Sequence, residues 1–312
     1  MTPFLQRGWY EAWLAAFGNE GMLEWLEVEG GELPLLVSGR RVARAPANTH
    51  THLYGPRADS PDAERELARL VAARRFERVL MPYMDPSTAF VEGCRELWPR
   101  RIEHVMQRSP YVQLEGSDLD AWRAGLDRKF RKELGRLRRR LSEFGELTFS
   151  FGDDLADLDE GFRLEASGWK LETGTAIVQK PERVRFYRAL AEWAKAQGTL
   201  QLAFLRLDGR PIAFDFCLAD GASVYALKGG FDVEMRKYGP GFVLTEEGIA
   251  RAFASGASTY ELLGDADEYK LNFTSLTRER IHFEGFSGAL GGRARHVART
   301  RVRPLVKRLR ER

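Results

Sequence analysis

Apolar residues along the chain recur alternately at the spacing typical of helices and at the spacing typical of strands. In the second half, the runs TLQLAFLRL, RPIAFDFCLA and SVYALKGGF are separated by Asp-Gly pairs at Asp208 and Asp220. Because Asp-Gly between alternating runs favours a tight hairpin turn, these runs predict an antiparallel meander. The flanking pattern predicts strands at 147–152, 258–263 and 278–286, helices at 154–166, 181–196 and 241–255, and a short helix opened by Asp265.

The first third of the chain shows the same alternation in shorter pieces. Its pattern predicts helices at 9–17, 61–75 and 87–98 and strands at 33–38, 77–84 and 102–107. Ser60 can cap the second of these helices, and Pro61 suits its first turn. We therefore expect a small N-terminal domain, and an α+β fold class with a mixed sheet for the chain as a whole.

One long helical pattern lies between the two alternating blocks and stops at Gly145. It is defined by apolar residues three or four positions apart: Leu119, Trp122, Leu126, Phe130, Leu134, Leu137 and Leu141. An amphipathic helix in this place is most simply a connector that packs on both blocks. The predicted organisation is a domain at 1–116, a basic connecting helix at 117–145, a second domain at 146–288 and a basic helical tail at 289–312.

Positive charge is concentrated in two segments, although the net charge of the whole chain is only +3. Residues 128–140 carry a net charge of +7 and residues 293–312 carry +8, which leaves the remainder near −12. Two interpretations stay open. The segments are either solvated helical faces whose arginine stems cover apolar surface, or surfaces for an anionic partner such as a nucleotide-like cofactor, RNA or a phospholipid membrane.

The composition excludes several classes of protein. With 312 residues, of which 44% are hydrophobic and 30% charged, the chain is typical of a globular protein. No apolar stretch approaches the ~18 residues of a membrane span, and the N-terminus lacks the features of a secretion signal, so a cytoplasmic protein is expected. Two cysteines and five scattered histidines do not suggest a disulfide framework or a metal site. The motifs of serine hydrolases, P-loop proteins and dinucleotide-binding proteins are absent from the sequence.

Several motifs, mostly in the second half, give the chain a resemblance to a known family. They are KFRKELGRLRRRL, SGWK at 167–170, the strand GRPIAF, the run YALKGGFD, YGPG before a helix, and ASTYELLGDADEYK. In this order they resemble the GNAT N-acyltransferases, and most closely the CelD/BcsL-like group, which is similar to Fem-type aminoacyltransferases. The resemblance implies two tandem GNAT-like domains and acyl-CoA or acetyl-CoA as cosubstrate, with no permanently bound cofactor and no metal.

The segment RKYGPG is the candidate binding site for the donor. A helix N-terminus presents unpaired backbone N–H groups and the positive end of the helix dipole, so it can bind phosphate. Gly239 and Gly241 would let the backbone approach a pyrophosphate such as that of coenzyme A. Arg236 and Lys237 would add positive charge, and Phe242 completes the predicted site. The segment departs from the Arg-x-x-Gly-x-Gly/Ala of typical GNAT enzymes, and an ordinary turn before a helix is the structural alternative.

The strand PIAFDFCL carries the first catalytic candidate. Because a carboxylate in so apolar a strand should face a cleft or be paired, Asp215 is the candidate base or the anchor for a substrate ammonium. Tyr225, Lys228 and Asp232, in and after the next strand, could line the same cleft and bind substrate. A structural salt bridge between Asp215 and Lys228 or an arginine is the alternative.

The resemblance supplies the remaining candidates. Tyr269 and Lys270 lie where Fem-like relatives have an aromatic residue followed by lysine, which implies that Lys270 stabilises the oxyanion and that Tyr269 protonates the leaving group. Trp169 and Lys170 lie where GNAT domains carry the loop on the acceptor side. Two departures accompany these matches: the donor segment described above, and Glu261, which stands where many relatives have aspartate.

The leading hypothesis is an acyltransferase that moves an acyl group from a CoA-type thioester to an amine or hydroxyl, in envelope, polysaccharide or lipid metabolism. One alternative keeps the fold and uses aminoacyl-tRNA, which the basic segments would suit. We expect the CoA-like donor, because the first basic segment also carries an apolar stripe and the tail has no aromatic residue after Phe286. Another alternative is a non-catalytic accessory protein whose basic tail contacts an anionic membrane from the cytoplasmic side.

Overall fold

The chain divides at positions that differ from the predicted domain boundaries. The computed structural model describes residues 2–18, 21–39, 41–167 and 169–302. Its contacts group Arg108–Arg278 with the start of the chain into a larger unit, and Phe4–Gln107 with the chain from Glu279 onward into a smaller one. The basic segment at 117–145 therefore lies inside the larger unit instead of connecting two domains. The described part of the tail belongs to the smaller unit, and residues 303–312 of the predicted tail lie outside the described residues.

The helices and strands follow one another in mixed order. The first part of the chain forms α1 (Arg7–Phe17), β1 (Met22–Val28), β2 (Gly31–Ser38), β3 (Val42–Arg44), β4 (Arg57–Ala58), α2 (Pro61–Ala73), β5 (Arg78–Met84), α3 (Ala89–Leu97) and β6 (Arg100–Gln113). The remainder forms α4 (Leu119–Gly125), α5 (Arg128–Ser142), β7 (Leu147–Gly152), α6 (Leu158–Glu165), α7 (Trp169–Glu172), α8 (Pro181–Ala196), β8 (Leu200–Leu207), β9 (Arg210–Ala219), β10 (Ser223–Phe231), α9 (Pro240–Ala254), β11 (Thr259–Glu261), α10 (Glu268–Leu271), β12 (Thr277–Phe286) and α11 (Leu290–Val297). Short 3₁₀ helices at Ile177–Gln179 and Val233–Tyr238 lie near the candidate site.

The smaller unit contains a mixed sheet covered by apolar helix faces. Its strand order is β1-β2-β3-β5-β12-β6, with β4 on β2, and β3 pairs with β5 in parallel. The Ser60 hydroxyl accepts a hydrogen bond from the N–H of Ala63 at 3.2 Å, and Pro61 occupies the first turn of α2. The predicted start of this helix is confirmed. Trp9 and Tyr10 of α1 are fully buried in the core of the unit.

The larger unit is organised around the predicted meander. Strands β8, β9 and β10 pair antiparallel in succession, as the two Asp-Gly turns predict. Helices α5 and α9 pack on one face of this sheet through Leu137, Leu141 and Val243, which join Ala213 of β9 in one apolar cluster. On the other face α8 covers the sheet, where the Tyr187 ring lies 5.6 Å from that of Phe216.

The predicted continuous helix at 117–145 is wrong in one respect, because the segment forms two helices, α4 and α5. Leu126 adopts an extended backbone conformation, and the Asp127 carboxylate accepts hydrogen bonds from the N–H groups of Lys129 and Phe130 at 2.8 and 3.0 Å. An aspartate that caps a helix in this way competes with continuation of the preceding helix, so a new helix starts after it. The apolar stripe is retained across the break, since Leu126, Leu134 and Leu137 are buried.

Within the described residues, no helix is both long enough and apolar enough to cross a membrane.

The basic helix α5 keeps Arg128, Lys129 and Arg131 exposed, opposite the buried leucines. Its exposed arginine-rich face is compatible with both interpretations of the first basic segment.

Candidate functional site

Two neighbouring parallel strands of the larger unit separate after a short stretch of pairing. Strand β10 pairs with β11 only from Ser223 to Tyr225, opposite Thr259 to Glu261. Beyond this point β10 continues to Phe231, while β11 ends. A β-bulge between Ala226 and Lys228 coincides with the separation, and bulges commonly end pairing near functional sites. We call the space beside residues 226–231 of β10 the β10–β11 opening.

Two glycines in β10 let side chains and backbone approach both faces of the strand beside this opening. A Cβ atom on Gly229 would collide with the carboxylate of Asp215, which lies against the strand on the face of α5 and α9. A Cβ atom on Gly230 would collide with the backbone of Leu164 and Glu165 at the end of α6, on the opposite face. Only glycine at both positions permits these contacts.

Lys170 occupies the edge of β10 at the opening. Its ammonium donates a hydrogen bond to the carbonyl oxygen of Gly229 and lies 3.2 Å from Oε1 of Glu165. Glu165 is fully buried, and its Oε2 accepts a hydrogen bond from the N–H of Ile177 at 2.8 Å. A buried carboxylate needs such partners, because burying an unpaired charge is costly. The pair Glu165–Lys170 therefore anchors the start of α7 to the candidate site.

Two titratable groups at the opening have strongly shifted pKa values. Burial raises the pKa of Asp215 to about 7, although the nearby positive charge of Lys170 lowers it. Burial also lowers the pKa of Lys228 to about 8, with a further lowering from Lys170 and an opposing effect of Glu165. Both groups can therefore gain or lose a proton close to neutral pH, which ordinary aspartate and lysine side chains cannot do.

The predicted pair Tyr269–Lys270 lies in α10, after the end of β11. The Tyr269 side chain is half-exposed, and its pKa is raised above the usual range by burial, with contributions from the charges of Asp267 and Asp215. Lys270 is buried, and its ammonium donates hydrogen bonds to the carbonyl oxygen of Asp265 at 2.9 Å and to Oδ2 of Asp267 at 2.8 Å. Tyr269 thus shares an electrostatic environment with Asp215, while much of the hydrogen-bonding capacity of Lys270 is used within its own turn.

The predicted donor segment leads into α9 through a left-handed glycine. Gly239 has φ +57°, and α9 begins at Pro240 without a side-chain hydrogen bond to its first turn. A Cβ atom on Gly241 would lie 3.3 Å from the ring of Phe231, at the end of β10. The first turn of α9 is therefore next to the strand that borders the opening.

The side chains around this turn divide into exposed cations and packed rings. Arg236 and Lys237 are exposed in the 3₁₀ helix Val233–Tyr238, where the Lys237 ammonium lies 4.9 Å from the centroid of the Tyr238 ring. The Phe242 ring packs edge-on against that of Phe130 at 5.7 Å. The cations remain accessible to an anion, whereas the Phe242 ring is held in the apolar core.

Two of the predicted substrate-binding residues have structural partners elsewhere. The Tyr225 hydroxyl donates a hydrogen bond to Oδ2 of Asp220 at 3.2 Å, at the turn end of β10. Asp232 pairs with Arg210 and caps the 3₁₀ helix Val233–Tyr238 by accepting a hydrogen bond from the N–H of Glu234 at 3.0 Å. These contacts explain both side chains without a ligand.

Trp169 and Glu261 differ in how far the structure describes their side chains. Trp169 is the first residue of α7, and its side chain lies outside what the structure describes. Glu261 is buried, where Nε of Arg278 lies 3.1 Å from its Oε1. Across residues 2–18, 21–39, 41–167 and 169–302, no group of three or more histidine, cysteine, aspartate or glutamate side chains is arranged to hold a metal ion.

Sequence reasoning missed Glu165 and Arg183. Glu165 is the last residue of α6, and Arg183 Nη1 donates hydrogen bonds to the carbonyl oxygens of Gly174 and Ala176 at 2.8 and 2.9 Å. One signal was available for Glu165, because it falls three residues after Phe162 on the apolar face of the helix. Nothing in the local sequence marks Arg183, whose acceptors belong to an irregular loop.

One family model matches the part of the chain that contains this opening. Residues 128–271 match the family model described as acetyltransferase (GNAT) domain. The matched segment runs from α5 to the end of α10, so it includes the meander, α9 and the opening. No curated protein sequence matches the chain.

Solved structures share the fold at low sequence identity. A crystal structure of FemX is 11% identical, with a TM-score of 0.62, over 90% of this chain and 92% of that one. The C-terminal domain (DUF2156) of a proposed lysylphosphatidylglycerol synthetase from Agrobacterium fabrum is 15% identical, with a TM-score of 0.59, over 94% and 93% of the two chains. A conserved protein of unknown function from Bacteroides thetaiotaomicron is 13% identical, with a TM-score of 0.58, over 90% of each chain. The chain therefore has the mixed α/β fold of these proteins.

Proposed function

We propose that this protein is an acyltransferase that moves an acyl group from a CoA-type thioester to an amine or hydroxyl acceptor. The observation that carries the proposal is the β10–β11 opening, where Asp215 and Lys228 both have pKa values near neutrality. The opening lies within the segment that matches the GNAT acetyltransferase domain. Acyl transfer needs groups that exchange protons near neutral pH beside the reacting atoms.

The donor would bind with its pyrophosphate at the first turn of α9. Unpaired N–H groups there and the exposed cations Arg236 and Lys237 favour an anion. Gly241 keeps the helix start clear beside Phe231, so a donor held at this turn would lie next to the edge of β10. Its thioester would then reach the opening beside Asp215.

Proton transfer would be divided between Asp215 and Tyr269. Asp215, with a pKa of about 7, takes the proton of the attacking amine or hydroxyl more readily than an ordinary carboxylate. The tetrahedral intermediate collapses with loss of the thiolate, to which the phenol of Tyr269 supplies a proton. Lys270 would contribute positive charge for the oxyanion from α10, besides its bonds to Asp265 and Asp267.

Native mass spectrometry with CoA thioesters of graded chain length tests the donor. We expect the wild-type protein to retain one acyl-CoA, and the Gly241→Val variant to lose it while melting near the wild-type temperature. The matched control is Gly135→Val on the exposed side of α5, where a Cβ atom meets nothing within 4 Å. Retention of no CoA thioester by the wild type would remove the proposed donor.

Aminoacyl-tRNA is the second candidate donor, and the exposed cations of α5 favour it. Arg128, Lys129 and Lys132 lie on the solvent side of this helix, and one of the solved structures with the same fold is FemX. RNA held by several such cations should dissociate steeply as salt rises, whereas CoA held partly by backbone amides should be less sensitive. Tight binding of charged tRNA at physiological salt, without CoA binding, would favour this donor.

We also propose a role in envelope, polysaccharide or lipid metabolism and a cytoplasmic location beside an anionic membrane. The CelD/BcsL-like relationship and a GNAT-like nature for the smaller unit are proposals as well. A non-catalytic accessory role is the competing proposal. It predicts that no CoA thioester is turned over with any amine, even where the purified protein binds membranes.

A further inference from the structure

A cluster of cations surrounds Lys228 on the face of the sheet that carries α6. Lys228 pairs in register with Phe216, and Gly230, two residues later, lies against the end of α6. Since residues two apart in a strand point to the same face, the Lys228 side chain is on the side of Glu165 and not on the side of Asp215. The opening thus separates a carboxylate on one face from an amine on the other.

The other members of this cluster are joined by hydrogen bonds. Lys170 donates a hydrogen bond to the carbonyl oxygen of Gly229, the residue after Lys228, and contacts Glu165. The Glu165 carboxylate accepts a hydrogen bond from the N–H of Ile177. The carbonyl oxygen of the preceding residue, Ala176, accepts a hydrogen bond from Arg183. Lys170 therefore contacts the buried carboxylate directly, and the charges of both Lys170 and Arg183 act on Lys228.

Positive charge in this cluster exceeds negative charge. Besides burial, the charges of Lys170, Arg183 and Lys270 lower the pKa of Lys228, and the charge of Glu165 raises it. The carboxylate of Glu165 is already shared between Lys170 and the N–H of Ile177, and Lys270 is paired with Asp267. Within the described ranges of the chain, the side-chain ammonium of Lys228 has neither a hydrogen-bond acceptor nor an ion-pair partner.

We propose that Lys228, with Lys170 and Arg183 beside it, binds an anionic group of the acceptor, so that the acceptor is an amine carrying a carboxylate or phosphate. A half-buried ammonium without a partner is costly, and a bound anion would remove that cost. The amine end of the same molecule would reach across the opening to Asp215, whose carboxylate lies on the other face. This inference rests on the proposed acyl transfer and adds the chemical class of its acceptor.

The anion belongs to the acceptor and not to the donor because of where α9 lies. The first turn of α9, proposed for the donor pyrophosphate, belongs to the face with Ala213 and Val243. Lys228 is on the opposite face, between β10 and the α6–α7 segment. One anion site on each face gives each substrate its own electrostatic contact.

Protection of Lys228 from arylation by fluorodinitrobenzene at pH 8 tests this inference without requiring turnover. An uncharged reagent reacts with the neutral amine, and about half of Lys228 is in that form at pH 8. Raising its pKa by about one unit through a bound anion should slow arylation by about fivefold, because the neutral fraction falls from about a half to about a tenth. Peptide mass spectrometry reads the modification, and exposed Lys132 serves as the internal control.

The ligand panel distinguishes the possible sources of the anion at equal ionic strength. We expect 2-aminoethyl phosphate or β-alanine to protect Lys228, ethanolamine to give no protection, and Lys132 to react alike in all samples. Protection should diminish in the Lys170→Met variant, and if that variant does not fold, the wild-type panel decides alone. No protection by either anionic amine, or protection by coenzyme A only, would overturn the inference. Binding of CoA thioesters is a separate result, so failure of the donor proposal and failure of the acceptor proposal are distinguishable.

Discussion

Replacing Asp215 by asparagine is expected to slow acyl transfer strongly and, at the same time, to stabilise the folded protein at pH 8. The carboxylate lies against Gly229, and burial raises its pKa to about 7 from an ordinary value of 3.8. Asparagine keeps the shape of the side chain and removes its charge. Loss of a general base typically lowers the rate by about 10²- to 10⁴-fold.

The direction of the stability effect follows from proton linkage. Between about pH 4 and pH 7 the folded chain keeps a proton on Asp215 that the unfolded chain releases, so the free energy of unfolding falls as the pH rises through this window. The difference of about three pH units corresponds to an upper limit of about 4 kcal/mol, which the partial solvent exposure of the carboxylate reduces to about 2 kcal/mol. This cost is fully present above pH 7.

Urea unfolding of the wild type and of Asp215→Asn at pH 5, 6, 7 and 8 measures this effect. The advantage of the variant should grow by about 1 kcal/mol between pH 5 and pH 8, because part of the effect falls between pH 4 and pH 5. Glu192→Gln is the control, because Glu192 is exposed on α8 in the same unit, and its curve should run parallel to that of the wild type. Parallel curves for wild type and Asp215→Asn would refute the raised pKa, and with it the reason for choosing Asp215 as the base.

Three further outcomes are expected. Lys228→Met should stabilise the protein by about 1 to 2 kcal/mol at pH 7, where the wild type must bury a charged ammonium. The wild type alone should gain stability as the pH rises from about 8 to 10.5, and equal pH dependence of the two proteins would contradict this. Asp127→Ala should lower the free energy of unfolding by about 1 kcal/mol, because the cap of α5 is lost. The control is Asp127→Asn, which keeps a capping oxygen, and equal stability of the two variants would show that the cap contributes nothing. Gly241→Val should weaken CoA binding at least tenfold with little change in melting temperature, and an equal loss of both would make this glycine a structural turn residue.

The local parts of the fold were predictable because their signals are local. The Asp-Gly turns at Asp208 and Asp220 determine the meander, and β9 and β10 have the predicted bounds. Ser60 as the cap and Pro61 in the first turn predict where α2 begins. The break before Asp127 was missed because the apolar stripe continues across it, and period alone does not reveal that a carboxylate caps a new helix.

The candidate site was only partly predictable because it depends on how strands separate. Asp215 stands out in its strand, and Lys228 comes three residues after the paired stretch of β10, but nothing local shows that β10 and β11 separate after Tyr225. The partners of Lys170 are likewise distant: Gly229 lies 59 residues further along the chain. Asp232, a candidate for substrate binding in the sequence, caps a 3₁₀ helix in the structure, and the sequence does not distinguish these two roles of an aspartate.

The glycine pair in β10 restricts the order in which this sequence can change. At Gly229 the obstacle to a methyl group is the side chain of Asp215, whereas at Gly230 it is the backbone of α6. A chain that first lost Asp215 could then accept alanine at position 229, but no single side-chain replacement elsewhere would admit alanine at position 230. Once alanine stood at 229, regaining the carboxylate would require reverting that residue first. Loss of the proposed base would in this way become hard to reverse, while the attachment of α6 to the sheet would persist in an inactive descendant.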